Sequence, residues 1–197
     1  MNTTIKFAKV RPNAIIPTKR VEDAGFDIYA NFEEQYMIID AHTTVMIPTG
    51  IASCCDEGYC LIAKERGSTG TKGLAQRAGV IDSGYRNEIL IPLTNTTEHD
   101  IVIAKHGITL GEIFYEHATK NANDFEFLTL MLEGLDTPEG WQKYAEKSNI
   151  TIYPYEKAIA QLLVVPVPEV EVEEITYEEL QAIPSERGMG RLGSSGK

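Results

Sequence analysis

Apolar positions in the first half of the chain come in short bursts, not in helical stripes. Ile5–Val10, Val45–Ile47, Ile51–Cys54, Cys60–Ala63 and Glu88–Leu93 are short and β-rich, and Gly, Pro, Asn or Asp separates them. Asp56-Glu57-Gly58 reads as a turn, which predicts a hairpin between Ile51–Cys55 and Tyr59–Ala63. Many short strands with frequent turn signals predict an all-β sandwich or barrel.

The stretch 105–154 breaks this pattern. Leu128-Thr129-Leu130-Met131-Leu132 is nearly all apolar. Beyond it, Thr137 suits an N-cap and Pro138 a first helical position. Trp141, Tyr144 and Ala145 then fall on one helical face, so a helix is expected here. Strand signals return at Ile159–Val167 and end at Pro166 and Pro168. Val170–Ile175 alternates like an exposed edge strand, and Tyr177–Ala182 suits a single helical turn. The acidic run Glu169–Glu179 reads as a solvated face.

Composition narrows the partners. The chain has 197 residues, 43% of them hydrophobic, which is enough for a core. A net charge of -11 argues against a nucleic-acid backbone as partner, while leaving room for a small phosphorylated ligand held by a local cation cluster or a divalent metal. No apolar run is long enough to span a bilayer, and Met1–Phe7 lacks the apolar core of a signal peptide. Cys54, Cys55 and Cys60 are odd in number and form no CxxC pair. They are read as reduced thiols of a cytosolic protein.

Candidate chemistry lies in five segments. In the C-terminal run from Arg187 to Lys197, Gly alternates with Arg, Ser and Lys. Such an arm can wrap phosphate oxygens with backbone N–H groups, although a solvated tail is the commoner meaning of such a terminus. Asp27, at an apolar strand start, needs a partner: a backbone turn, a cation or a metal. Lys64-Glu65-Arg66-Gly67-Ser68-Thr69-Gly70 suits either a phosphate cradle or a polar loop, and it lacks the spacing of a Walker motif. Gly79-Val80-Ile81-Asp82-Ser83-Gly84-Tyr85 reads as a strand–turn–strand. Its main chain can read a base edge, Asp82 can activate water and Tyr85 offers a face to a sugar; the plainer alternative is a hairpin with a turn Asp. Gln161, alone in an apolar run, needs a backbone or ligand partner.

Taken in sequence order, the five segments resemble the signature segments of the trimeric dUTP pyrophosphatases (dUTPases), spread here from Ala24 to Gly196. The third in the chain, Gly79 to Tyr85, is nearly unaltered. The resemblance implies a β-barrel or jelly-roll-like (β-clip) subunit, 1–104 with 155–197, carrying a small α-containing insert at 105–154. It also implies a homotrimer with shared active sites. The implied reaction converts dUTP to dUMP and pyrophosphate, limiting uracil incorporation into DNA and supplying dUMP. Asp82 would activate the water that attacks the α-phosphate. Tyr85 would pack on the deoxyribose, and the backbone of Gly79, Val80, Ile81 and Asp82 would read uracil. Arg66, Gly67, Ser68 and Gln161 would hold phosphates. Asp27 would lie near water bound to Mg²⁺, an ion held mainly by the triphosphate. Arg187, Leu192, Gly193, Ser194 and Ser195 of the arm would close over the substrate.

Several positions depart from that pattern. Arg66-Gly67-Ser68 moves the usual hydroxyl by one place. Glu156-Lys157-Ala158 stands where the family has Gly-Asp-Arg. Leu192 replaces a Phe that stacks on uracil, so it covers the base without ring stacking, and Arg191 replaces a Gly. The insert is read as a structural decoration, with a protein partner as the alternative. Two other functions fit less well: a dCTP deaminase-like enzyme, for which no suitable Glu can be placed, and a nucleotide-gated regulatory protein acting through the insert.

Overall fold

The computed structural model describes residues 3–108, 112–113 and 150–186. The chain divides into two units, Met1–Val167 and Pro168–Lys197. The first is built from strands β1 (Ile5–Lys9), β2 (Gly25–Ile28), β3 (Tyr36–Ile39), β4 (Thr44–Pro48), β5 (Ile51–Cys55), β6 (Tyr59–Lys64), β7 (Leu74–Gln76), β8 (Val80–Ile81), β9 (Leu90–Asn95), β10 (Ile101–Ala104), β11 (Thr151–Pro154) and β12 (Ala160–Pro166). A one-turn helix, α1 (Gly67–Gly70), follows β6. In the second unit the described regular element is α2 (Tyr177–Ala182).

The strands form four small sheets, ordered β1-β5, β11-β10-β3, β2-β12-β6-β8 and β4-β9-β7. This is the mostly β architecture expected. Ile28, Ile39, Ile47, Ile51, Leu61, Leu93, Ile101 and Tyr153 pack in one core to which all four sheets contribute. Strand β10 shows how a continuous apolar run is used. All four of its residues are buried, Ile101 and Ile103 in the main core and Val102 and Ala104 in a smaller cluster with Ile113. Alternate side chains point to opposite faces, so a strand covered on both sides loses its polar positions.

Asn95 joins two sheets. It sits at the end of β9, fully buried, and its Nδ2 donates to the carbonyls of Ile39 in β3 (2.9 Å) and His99 (2.8 Å). Its Oδ1 accepts from the Thr97 N–H and hydroxyl at 3.0 and 2.8 Å. A buried amide is tolerated because its hydrogen-bonding capacity is used.

Three sequence expectations need correction. The turn at Asp56–Tyr59 forms, with the Tyr59 N–H donating to the Asp56 carbonyl at 3.0 Å, but its flanking strands do not pair as a hairpin. Strand β5 pairs with β1 over Ile5↔Cys55 to Lys9↔Ile51, and β6 pairs with β12 over Gln161↔Lys64 to Pro166↔Tyr59. These longer apolar ladders take the edges a hairpin would have used. The 170–175 stretch is exposed and carries no strand, because alternation of Val and Glu without a partner ladder buries nothing. The strand expected at Glu88–Leu93 begins at Leu90, since Glu88 is engaged elsewhere by Arg11 (3.0 Å) and by the Gly50 N–H (2.7 Å).

The helical turn at Tyr177–Ala182 is present, capped by Thr176, whose hydroxyl accepts from the Glu179 N–H while Glu179 accepts from the Thr176 N–H. The helix expected around Thr137–Lys147 lies outside the described residues. At the insert's borders, β10 and β11 pair in parallel from Ile101↔Thr151 to Ala104↔Pro154. Parallel pairing requires a long crossover between the two strands, and residues 105–150 are that connection.

Candidate active site

Three of the expected residues meet because of strand register. Asp27 on β2 is paired with Gln161 on β12, and Gln161 is paired with Lys64 on β6. Residues in one row across a sheet share a face. The chain leaves β6 at Glu65 and turns at Arg66, whose side chain reaches back to Asp27. Nε lies 2.9 Å from Oδ1 and Nη2 lies 3.3 Å from Oδ2. The remaining Nη1 donates to the Ala158 carbonyl (3.3 Å) and the Ser68 hydroxyl (3.4 Å). The guanidinium is therefore fixed in plane beside the cradle.

Gln161 finds the backbone partner its burial demanded: Nε2 donates to the Glu65 carbonyl at 3.0 Å. Gly25 makes room for it, since a Cβ there would lie 2.7 Å from Gln161 Oε1. The cradle turn itself is tied by buried Thr69, whose Oγ1 accepts from the Arg66 N–H and donates to the Arg66 carbonyl, both at 2.9 Å. Together Asp27, Arg66, Gly67, Ser68 and Gln161 line a polar cleft of about 700 Å³.

The cleft has a further wall not foreseen from the sequence. Thr18, Lys19, Arg20 and Asp23 also line it. Arg20 and Asp23 form an exposed two-pronged ion pair at 2.9 and 3.0 Å. Hydrogen bonds from the Arg20 side chain and backbone hold the Asp23 carboxyl below its usual range. The adjacent basic pair Lys19-Arg20 was the available sequence signal, but exposed charges in a loop rarely stand out.

Asp82 and Tyr85 sit elsewhere. Strand β8 covers only Val80 and Ile81, paired with Ile62 and Leu61 of β6, and it is the end strand of its sheet among the described residues. It is followed by a turn in which the Tyr85 N–H donates to the Asp82 carbonyl at 3.1 Å. The expected strand–turn–strand is thus a strand and a turn, because the next strand, β9, joins a different sheet. The Gly79 carbonyl accepts from the Ala63 N–H at 2.7 Å, and a Cβ on Gly79 would lie 2.5 Å from the Ala63 oxygen. Only glycine permits this approach. Val80, Ile81, Asp82 and Tyr85 line a second, mainly apolar pocket of about 180 Å³ with Met46, Ala78, Ile89 and Leu90. The Tyr85 hydroxyl donates to the Glu88 carbonyl at 2.9 Å, which fixes the ring at the pocket.

The expected site therefore falls in two parts that share no lining residue. Arg187, Leu192, Gly193, Ser194 and Ser195 lie outside the described residues. Among the described residues no three His, Cys, Asp or Glu side chains cluster as metal ligands. Asp27, gripped by Arg66, suits an ion carried by a ligand's oxygens and by water better than a protein cage. No described helix is long and apolar enough to cross a membrane, and all three cysteines are free.

The sequence profile of the dUTPase family matches residues 11–127. A deoxyuridine 5'-triphosphate nucleotidohydrolase of Leptospira interrogans is 28% identical over 109 residues, covering 53% of this chain and 74% of its own length. One from Candida glabrata is 35% identical over 112 residues, covering 56% and 75%. In solved structures, a dUTPase mutant of Staphylococcus bacteriophage 80alpha with dUpNHpp shares the fold at TM-score 0.64 and 19% identity, covering 98% of this chain and 99% of its own. The dUTPase of phage phi11, described with a species-specific insert, does so at TM-score 0.57 and 17% identity, covering 87% and 96%. The profile match spans more than half of the chain, and the relatives align along most of their own length. The chain belongs to the dUTPase family.

Proposed function

We propose that this chain hydrolyses dUTP to dUMP and pyrophosphate at sites shared between subunits of a homotrimer. The observation that carries the reading is the division of labour between the two pockets. A triphosphate needs cations, hydroxyls and N–H groups, and the cleft at Arg66, Gly67, Ser68 and Gln161 supplies them. A base and deoxyribose need apolar and aromatic contact beside a polar edge, and the pocket at Val80, Ile81 and Tyr85 supplies that. One chain carries both halves as separate pockets, so a second copy completes each site.

In this reading the outer edge of β8, from Gly79 to Asp82, presents main-chain groups to uracil, and Tyr85 packs on the sugar. A ribose 2′-OH is excluded by that contact. Arg66 and Ser68 bind phosphate oxygens, with Arg66 held in orientation by Asp27. Asp82 takes a proton from water as its oxygen attacks the α-phosphorus. A new P–O bond forms, the α–β bridging bond breaks, and pyrophosphate leaves. Asp27 would help hold, through water, an Mg²⁺ ion carried by the triphosphate, and that ion would supply charge neutralisation of the phosphates. Arg187, Leu192, Gly193, Ser194 and Ser195 belong to an arm that closes over the substrate and excludes bulk water. Residues 1–104 and 155–197 form the catalytic core together with β11, and the rest of 105–154 is an insert within it.

The test is pyrophosphate release from dUTP, beside dCTP, dTTP and UTP, for the wild type and Asp82→Asn. Release from dUTP alone, abolished in Asp82→Asn, is the expected result. Ammonia release from dCTP, or dUTP binding without turnover in the wild type, contradicts it.

A further inference from the structure

We propose that Lys19 is an additional phosphate-binding residue, contacting the triphosphate from the loop at 18–23; the inference rests on the dUTP hydrolase reading above. The loop is clamped at its base, because the Asp27 N–H donates to the Thr18 carbonyl at 2.9 Å and the two residues form an isolated bridge. It is closed within itself by the Asp23 N–H to the Arg20 carbonyl (3.2 Å) and by the Arg20–Asp23 ion pair. This places Lys19 at the cleft that also contains Arg66, Gly67 and Ser68.

Charge accounting singles Lys19 out. Arg66 is paired with Asp27, Arg20 with Asp23, and nearby Lys64 with Glu65 at 3.1 Å. Lys19 makes no ion pair with a described carboxylate. Its Nζ donates to the carbonyl of Asp23 at 2.7 Å and reaches those of Arg20 and Val21 only at 3.3 and 3.5 Å. Phe26 lies beneath it, 5.6 Å from ring centroid to Nζ. One short and two long bonds hold the ammonium in place while leaving donors that a phosphate oxygen would engage better. The cleft's cations minus its carboxylates thus leave one net positive charge, on Lys19. A polyanion recruits such a charge and a neutral pyrimidine does not.

The test compares wild type with Lys19→Met and with Lys19→Gln, which keeps an N–H for the Asp23 carbonyl but loses the charge. Lys19→Arg serves as the charge-retaining rescue. Thermal melts establish that each variant folds. Affinity is measured for α,β-imido-dUTP and for dUMP, together with kcat and KM for dUTP. Both neutral variants should lose roughly tenfold in affinity for α,β-imido-dUTP, with a matching rise in KM. Binding of dUMP and the melting temperature should be unchanged, and Lys19→Arg should recover most of the loss. Unchanged affinity in the neutral variants, or equal losses for dUMP and the triphosphate analogue, overturns the proposal while an active wild type preserves the hydrolase reading. A wild type that does not hydrolyse dUTP removes both.

Discussion

Asp27 and Arg66 meet across the sheet as a two-pronged ion pair, Nε to Oδ1 at 2.9 Å and Nη2 to Oδ2 at 3.3 Å. Each side chain is about one-third exposed, at 34% and 31%, so solvent screens the pair only in part. Its geometry matters more than its energy, because it orients Nη1 toward Ser68. Asp27→Asn turns one acceptor into a donor facing Arg66. The expected outcome is a loss of about 1–2 kcal/mol in stability and at least a tenfold fall in kcat/KM. Arg66→Lys keeps the charge but not the fork, so KM should rise with a smaller effect on melting. Thermal melts and steady-state kinetics check both.

Gly79 is required by packing. Its missing Cβ lets β8 lie against the backbone of Ala63. Gly79→Ala should push β8 outward, costing roughly 2–3 kcal/mol, and under the proposed function, in which the edge of β8 reads the base, it should also weaken dUMP binding. Calorimetry with dUMP, beside a denaturant titration, is the measurement.

Asn95 makes four hydrogen bonds, one to Ile39 of the neighbouring sheet and three within the loop that follows β9. Asn95→Ala leaves the carbonyls of Ile39 and His99 without this donor in a buried setting. A loss of roughly 2–4 kcal/mol is expected, with turnover per folded enzyme unchanged, since the residue is remote from both pockets. Urea unfolding together with active-site titration tests the split.

Burial pushes the Cys55 thiol above its ordinary value of 9.0, and neighbouring Cys54 and Cys60 add to this. A thiol whose pKa is raised by folding favours the native state while it stays protonated. That contribution is complete below the ordinary value and is lost as pH rises through and beyond it. Cys55→Ala should therefore flatten the alkaline limb of the stability–pH curve, measured by thermal melts across the alkaline range. Iodoacetamide at neutral pH should modify half-exposed Cys54 before Cys55 or Cys60.

Strands β3, β7, β10 and β11 were not singled out in the sequence, whereas β1, β4, β5, β6, β9 and β12 were legible because each is a short burst of β-branched or apolar residues between turn formers. Strand partners were not. Whether Ile51–Cys55 pairs with its neighbour or with Ile5–Lys9 depends on apolar faces far apart in sequence, and the distant ladder won. The site was legible where polarity conflicted with burial. Asp27 and Gln161 each announced a need for a partner, and the structure provides Arg66 and the Glu65 carbonyl. Lys19, Arg20 and Asp23 gave no such signal, because a charged residue in an exposed loop satisfies itself with water. That each site would be shared between subunits was implied by the family resemblance alone, since nothing local in Arg66 or Asp82 says how far apart they lie.

Mixed-subunit complementation tests the shared site most directly. Under the proposed function Asp82→Asn would disable one half-site and Arg66→Ala the other, and each variant alone should be nearly inactive on dUTP. Unfolded together and refolded as mixed trimers, they should regain a measurable fraction of wild-type turnover, because some sites then combine an intact Asp82 with an intact Arg66. Mixtures no more active than the separate variants, in the presence of an active wild type, would contradict sites built between subunits.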